Sequence, residues 1–199
     1  IAQSKSFDNG TVCASEQSII VEKDMAETVR REAEKQGFYF MDSEQAGCLA
    51  RRLFRPNGTL NPEVVGKSAM TLAKMSGFSV PSGTKVLVAR EQEAGPTRPY
   101  SMEKLCPVLA FYVMDNEEEI LRKCVEILDF EGAGHTFAIH AGDEEVVRKF
   151  AAKIPVSRFL VNTPAALGGI GSTTGLFPAL TLGCGAVGGS SSSNNISPL

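Results

Sequence analysis

An alternation of apolar segments and amphipathic helical patterns in the second half of this sequence most constrains its fold. Segments typical of buried strands cover residues 107–113, 136–139 and 158–161. One helical pattern begins after Asn116, and a second covers residues 143–153. This strand–helix–strand–helix–strand order indicates two βαβ units and predicts an α/β fold with a largely parallel sheet. Sheets of this kind place ligands beyond the carboxyl ends of their strands.

The first half of the chain contains the same two patterns. Residues 18–21 and 85–89 are short apolar segments that predict two further strands. The first helical pattern places Met25, Val29 and Ala33 on one apolar face. The helical patterns cover residues 24–36, 43–54 and 62–75.

Composition excludes several classes of protein. The chain carries 20 Lys and Arg against 23 Asp and Glu, a formal charge of −3, whereas nucleic-acid-binding proteins usually show a basic excess. No apolar run reaches the roughly 18 to 20 residues of a membrane helix, and a hydrophobic fraction of 43% suits one globular domain. The first residue is Ile1 rather than Met, and no signal-peptide core follows it. We therefore expect the chain to begin inside a longer protein.

The five cysteines follow no metal-binding or disulfide framework, which favours a reducing, cytoplasmic setting. Cys48 and Cys124 lie in amphipathic helical patterns, and Cys106 comes just before a strand. All three are expected to be small buried residues with a structural role.

The other two cysteines lie in loops. Cys13 follows a strong turn signal at residues 8–10, and Cys184 is flanked by glycines. A thiol on a polar loop is accessible, and adjacent backbone N–H groups can stabilise its thiolate or an oxyanion. Residue types alone favour Cys13 over Cys184 only modestly, and an incidental loop cysteine is the alternative for both.

The two histidines, His135 and His140, have an odd spacing that puts them on opposite faces of a strand, so no shared metal site is expected. His135 follows a glycine-containing turn, where it could present a functional group or cap a loop. His140 is expected to be an ordinary strand-end residue. The glycine pattern at residues 183–188 matches a dinucleotide fingerprint only as a string, because neither a helix nor an acidic residue follows it.

Five segments, taken together, resemble the CoA-acylating aldehyde dehydrogenases. The similarity is to the acetaldehyde and propionaldehyde enzymes of ethanolamine and propanediol utilisation, and to the aldehyde half of bifunctional aldehyde–alcohol dehydrogenase. It implies that residues 1–199 form a three-layer aldehyde dehydrogenase catalytic domain, with helices on both sides of the largely parallel sheet. The segments are residues 7–17 (FDNGTVCASEQ), 103–110 (EKLCPVLA), 132–136 (GAGHT), 162–165 (NTPA) and 180–185 (LTLGCG).

The resemblance also implies roles for individual residues. Cys13 matches the catalytic nucleophile, and its backbone N–H would be one oxyanion donor. Glu103 matches the glutamate that holds the nicotinamide ribose, although without the motif it reads as a surface residue before a strand. His135 matches a histidine at the active site, as an acid/base or CoA-orienting group. Leu182 and Gly183 match a loop near the cofactor. Asn9 and Gly10 match the turn that leads to the nucleophile.

The implied reaction converts a short-chain aldehyde, CoA and NAD to acyl-CoA and NADH, as in acetaldehyde dehydrogenase (acetylating). Two alternatives stay open: an acyl-phosphate (semialdehyde) reductase of the same fold, and a non-catalytic interaction module. The family carries a Rossmann cofactor domain before the cysteine, and this chain has only twelve residues there. We therefore expect the isolated chain to be inactive or nearly so, the full-length protein to be a homo-oligomer, and its location to be the cytoplasm or a bacterial microcompartment.

Overall fold

The computed structural model of the protein describes residues 1–178. Leu182, Gly183 and Cys184, which the sequence analysis singled out, lie outside the described residues. The strands are β1 (Ser18–Glu22), β2 (Phe38–Phe40), β3 (Val86–Arg90), β4 (Val108–Met114), β5 (Gly134–Ile139) and β6 (Val156–Val161). The α-helices are α1 (Ala2–Ser6), α2 (Lys23–Lys35), α3 (Ser43–Leu53), α4 (Ala69–Met75), α5 (Glu117–Phe130), α6 (Glu144–Ala151) and α7 (Ala165–Gly169).

Two parallel sheets organise these elements, which confirms the α/β prediction. The larger sheet has the strand order β1-β4-β3-β2, and the smaller one pairs β5 with β6. In the larger sheet Ser18 lies opposite Ala110, so the chain enters β1 and β4 at the same edge. Within residues 1–178, β4 and β5 belong to different sheets, and of the two expected βαβ units only β5–α6–β6 pairs both of its strands.

Alternation along the strands sends side chains to the two faces of the larger sheet. Leu87 and Val108 face a core that contains residues of α3 and α4. Val88 and Leu109 face the opposite core, which is covered by α2. All four side chains are completely buried, and burial of such a side chain contributes about 1.5–3 kcal/mol. This arrangement of helices on both faces is the expected three-layer architecture.

Two local expectations were wrong. The helix expected over residues 62–75 is interrupted, because Gly66 has a left-handed φ of 68° and Ser68 starts a new helix by accepting a hydrogen bond from the Thr71 N–H. Met25 is 53% exposed, and Ala26 takes its place beside Val29 in the core. The apolar periodicity predicts a helix correctly in both places. It does not predict the break at Gly66, and it puts Met25 on the wrong face of the first helix.

Candidate active site

The turn before Cys13 is built from three consecutive residues with left-handed backbone. Asp8, Asn9 and Gly10 have φ values of 46°, 49° and 72°, and Asp and Asn tolerate this region better than most residues. The Thr11 hydroxyl donates to the Asp8 carbonyl at 3.0 Å, which closes the turn. The turn predicted at residues 8–10 is therefore present, with Asn9 exposed and Gly10 buried.

Cys13 lies in residues 10–17, which we call the nucleophile loop, between this turn and β1. A second turn closes around it, because the Ser15 N–H donates to the Val12 carbonyl at 2.8 Å. The Cys13 thiol is partly buried. A tight turn directs backbone N–H groups toward one point, which suits stabilisation of a negative charge at sulfur or at a bound oxyanion.

Two of the remaining described cysteines, Cys106 and Cys124, are poorly suited to nucleophilic chemistry. Cys106 and Cys124 are buried, as expected, and burial raises the pKa of Cys106 to about 11 and that of Cys124 to about 12. Both therefore stay protonated near neutral pH. Cys48 is only partly buried, contrary to expectation, and the Arg51 guanidinium donates to its sulfur at 3.2 Å.

Glu103 lies in the segment that leads into β4 and is partly buried. Burial, and then repulsion from Glu131, raise the pKa of the Glu103 carboxyl group, while Lys5 and Lys104 act in the opposite direction. Its backbone N–H donates to Glu131 Oε2 at 3.1 Å. Within residues 1–178, no protein donor forms a hydrogen bond to the Glu103 carboxylate, so its oxygens are available to the two hydroxyls of a ribose.

His135 is the second residue of β5 and is partly buried. Its N–H donates to the Gly132 carbonyl at 3.0 Å, and its Nδ1 lies 3.0 Å from the Thr136 hydroxyl. Burial, and then Arg158, lower the pKa of His135, so the ring is neutral near pH 7 and can accept a proton. His140 comes just after β5, about 16 Å along the extended chain. In the described part of the chain, no group of three His, Cys, Asp or Glu side chains could hold a metal ion.

Four of the predicted motif segments meet in the structure. The Glu103–Glu131 contact joins the segment before β4 to the turn that carries His135. The nucleophile loop joins the same assembly, because the Ala165 N–H donates to Glu16 Oε1 at 3.1 Å and Gly10 packs against Cys106. Cys13, Glu103 and His135 all lie at the amino ends of their strands or just before them. The general rule that ligands lie beyond the carboxyl ends of parallel strands therefore does not describe where these predicted residues lie.

Two surface pockets contain none of these residues. One is lined by residues 34–40 and 81–85, and the other by residues of α3 and the end of α4. No helix within residues 1–178 has the length and apolar character needed to cross a membrane.

Comparison with known proteins shows what this chain is similar to. No family model matches the chain. The aldehyde-alcohol dehydrogenase of Streptococcus pneumoniae serotype 4 is 37% identical over 208 residues, which cover 100% of this chain and 24% of that protein. The acetylating aldehyde dehydrogenase of Geobacillus thermoglucosidasius is 43% identical with a TM-score of 0.94, over 98% of this chain and 43% of that one. This chain is homologous to part of the acylating aldehyde dehydrogenases.

A second solved structure agrees with this conclusion. The probable aldehyde dehydrogenase of Listeria monocytogenes is 55% identical with a TM-score of 0.95, over 99% of this chain and 44% of that one. The chain therefore spans about a quarter to less than half of the length of these relatives. In this acylating aldehyde dehydrogenase homologue, the four motif segments that meet at the site are also those that carried the family resemblance.

Sequence reasoning missed two residues that the structure places beside the nucleophile loop. Lys5 and Lys104 are both completely buried. Lysine is among the residues least often found inside proteins, so composition and periodicity predict a surface position for both. We find no sequence signal at either position that would have indicated burial.

Proposed function

We propose that this chain is the catalytic part of an enzyme that converts a short-chain aldehyde and CoA to acyl-CoA, with NAD as the oxidant. The homology supports this reaction, and one structural observation carries it to particular residues. That observation is the nucleophile loop, which presents Cys13 from a tight turn packed against the segment of Glu103. An acyl-phosphate reductase or an interaction module is not favoured by the relatives, which are acetylating enzymes.

The proposed reaction begins at the Cys13 sulfur. The thiolate attacks the aldehyde carbonyl carbon and forms a thiohemiacetal, whose oxygen is stabilised by backbone N–H groups that include that of Cys13. NAD, when bound, accepts a hydride. Loss of that hydride and of the hydroxyl proton converts the thiohemiacetal to a thioester on Cys13. The CoA thiolate then attacks the thioester carbonyl, and the Cys13 thiolate leaves as the acyl-CoA forms.

Glu103 and His135 have supporting roles in this proposal. The Glu103 carboxylate fits a ribose because its oxygens are not used by protein donors in residues 1–178, and a carboxylate can accept from two hydroxyls. The neutral His135 ring suits an acid/base or CoA-orienting role, in which it takes the proton of the CoA thiol. Asn9 and Gly10 shape the turn before the nucleophile, and Leu182 and Gly183 stay predicted cofactor-loop residues.

The remaining cofactor contacts are proposed to come from outside this chain. The relatives are more than twice as long as this chain. We infer that a Rossmann cofactor domain supplies these contacts in the full-length homo-oligomer, and that the isolated chain has little activity. A cytoplasmic location is part of this proposal and rests on the cysteine pattern of the sequence. A microcompartment location stays a prediction.

A chimera tests the reaction. In the chimera, this chain replaces the matching segment of the Geobacillus thermoglucosidasius enzyme, and all other parts of that enzyme are retained. We expect the chimera to form NADH and acyl-CoA from acetaldehyde, CoA and NAD, and to lose this activity in the Cys13→Ser version. Phosphate in place of CoA should give no acyl phosphate. A folded chimera with the parent's oligomeric state but no acyl-CoA product would refute the proposal.

A further inference from the structure

Two completely buried lysines lie beside the nucleophile loop, Lys5 on α1 and Lys104 just before β4. Neither of them forms an ion pair with a carboxylate of residues 1–178. A lysine amine normally reaches solvent, because removing its charge from water is costly unless compensated. The contacts that each amine makes must therefore offset the cost of burying it.

The Lys104 amine is satisfied locally. It donates to the carbonyls of Tyr100 and Met102 at 2.7 and 2.6 Å, so it holds together the turn that precedes β4. Its backbone N–H also donates to Gln17 Oε1 at 3.1 Å, which ties this turn to the end of the nucleophile loop. These contacts give Lys104 a structural role.

The Lys5 amine contacts the nucleophile loop itself. It donates to the Ser15 hydroxyl at 3.4 Å, and that hydroxyl in turn donates to the Gly10 carbonyl at 3.4 Å. Both bonds are long, but together they connect α1 to the two ends of the turn that contains Cys13. Ser15 is two residues from Cys13, a span of at most about 7 Å along the backbone.

We propose that Lys5 is a positioning residue for the nucleophile: its buried ammonium group holds Ser15 and so orients the turn that presents Cys13. This inference rests on the proposed role of Cys13 as the nucleophile. Lys5 does not contact the reacting groups, and it acts on Cys13 through Ser15.

The charges around Lys5 support this role. The groups that act on its amine are Cys106, Glu16 and Glu103, which favour the cation, and Lys104, which opposes it. Burial lowers the pKa of Lys5 to about 8, so the amine is mainly cationic at neutral pH. The thiol that acts on the Lys5 amine is that of Cys106, so Lys5 reaches Cys13 through the Ser15 hydroxyl. Two further charged groups, both exposed, lie on elements adjacent to α1: Asp8 and Arg90.

The test is the pH profile of Cys13 alkylation in this chain, measured with limiting iodoacetamide and peptide mapping. The variants are Lys5→Met, which keeps the volume and removes the charge, and Lys5→Arg, which keeps the charge. Lys35→Met is the matched surface control, since the Lys35 side chain is 66% exposed. In each sample Cys48 reports general thiol reactivity, and buried Cys124 reports unfolding.

We expect K5M to raise the apparent pKa of Cys13 by about one unit, which slows alkylation at neutral pH roughly tenfold. K5R should retain most of the wild-type profile, and K35M all of it, with Cys48 rates and Cys124 protection unchanged. An identical Cys13 profile in K5M and wild type overturns the inference.

If Cys124 becomes reactive in K5M, that variant has unfolded, and Ser15→Ala decides instead. S15A removes the acceptor and keeps the ammonium, so a shifted Cys13 profile supports the inference and an unchanged one overturns it. The role of Lys5 and the proposed reaction can be refuted independently of each other. An active chimera with a Lys5-independent Cys13 profile refutes only the role of Lys5, and an inactive chimera with a Lys5-dependent profile refutes only the reaction.

Discussion

Gly10 packs so closely against Cys106 that a Cβ atom at Gly10 would lie 2.8 Å from both the carbonyl carbon and the carbonyl oxygen of Cys106. The contact joins the turn before Cys13 to the segment that carries Glu103. It requires both the left-handed φ and the missing side chain of glycine.

Replacing Gly10 by alanine should destabilise the protein by about 2–4 kcal/mol, because left-handed strain adds to a backbone clash. Gly58→Ala is the matched control: Gly58 has a similar φ of 80°, but nothing lies within 4 Å of its added Cβ. It should cost only about 1 kcal/mol. Thermal denaturation measures both. Equal losses of stability in the two variants would show that the Gly10–Cys106 contact contributes nothing.

Acetyl-CoA should transfer its acetyl group to Cys13, since the last step of the proposed reaction is reversible. Incubation of this chain with acetyl-CoA is expected to add one acetyl group, which peptide mass mapping places on Cys13 and hydroxylamine removes. Cys13→Ser should abolish the adduct, and Cys48→Ser should leave it unchanged. Acetylation located on Cys48 instead would contradict the assignment of the nucleophile.

The free energy of unfolding should rise with pH between about 7 and 8.5 because of the two buried lysines. Burial lowers the folded-state pKa of Lys104 to about 7, with Lys5 repulsion adding to it, and that of Lys5 to about 8. The unfolded chain, with ordinary lysine pKa values near 10.4, binds more protons in this range. Stability therefore increases with pH, by up to about 1.4 kcal/mol per pH unit for each lysine.

Lys104→Met should flatten this pH dependence, because it removes one titrating amine and relieves the repulsion on Lys5. Urea denaturation at several pH values gives the slope, and Lys35→Met, at an exposed position, should keep the wild-type slope. The window ends near pH 8.5 because the buried Cys106 thiol, whose pKa is raised to about 11, has the opposite effect above that pH. A slope that K104M leaves unaltered would exclude this linkage.

Glu103→Gln should weaken NAD binding in the chimera. The amide keeps one acceptor but loses the negative charge, and charged hydrogen bonds contribute about 1.5–3 kcal/mol, so the KM for NAD is expected to rise roughly tenfold. The KM for acetaldehyde should change little. Glu131→Gln, which keeps an acceptor for the Glu103 N–H, is the control and should leave the NAD dependence close to wild type. Matching KM values for NAD in E103Q and the parent chimera would remove Glu103 from the cofactor site.

The sequence by itself determined the local elements. Alternating or continuous apolar residues predicted β3 and β4, and helix signals predicted α3, where Asp42 and Gln45 form a capping box. The Asp-Asn-Gly string predicted the left-handed turn before Cys13. These features depend on neighbours within a few residues, so a local pattern encodes them. The family resemblance, rather than residue types, singled out Cys13, Glu103 and His135.

Only the tertiary structure decided where these residues meet. The parallel register of Ser18 with Ala110 brings the entrances of β1 and β4 together, and with them the segments that carry Cys13 and Glu103. The same packing buries Lys5 and Lys104, whereas rotation of α3 leaves Cys48 partly exposed. Register and burial depend on contacts between residues far apart in the chain, and no local pattern records which distant segment covers a given side chain.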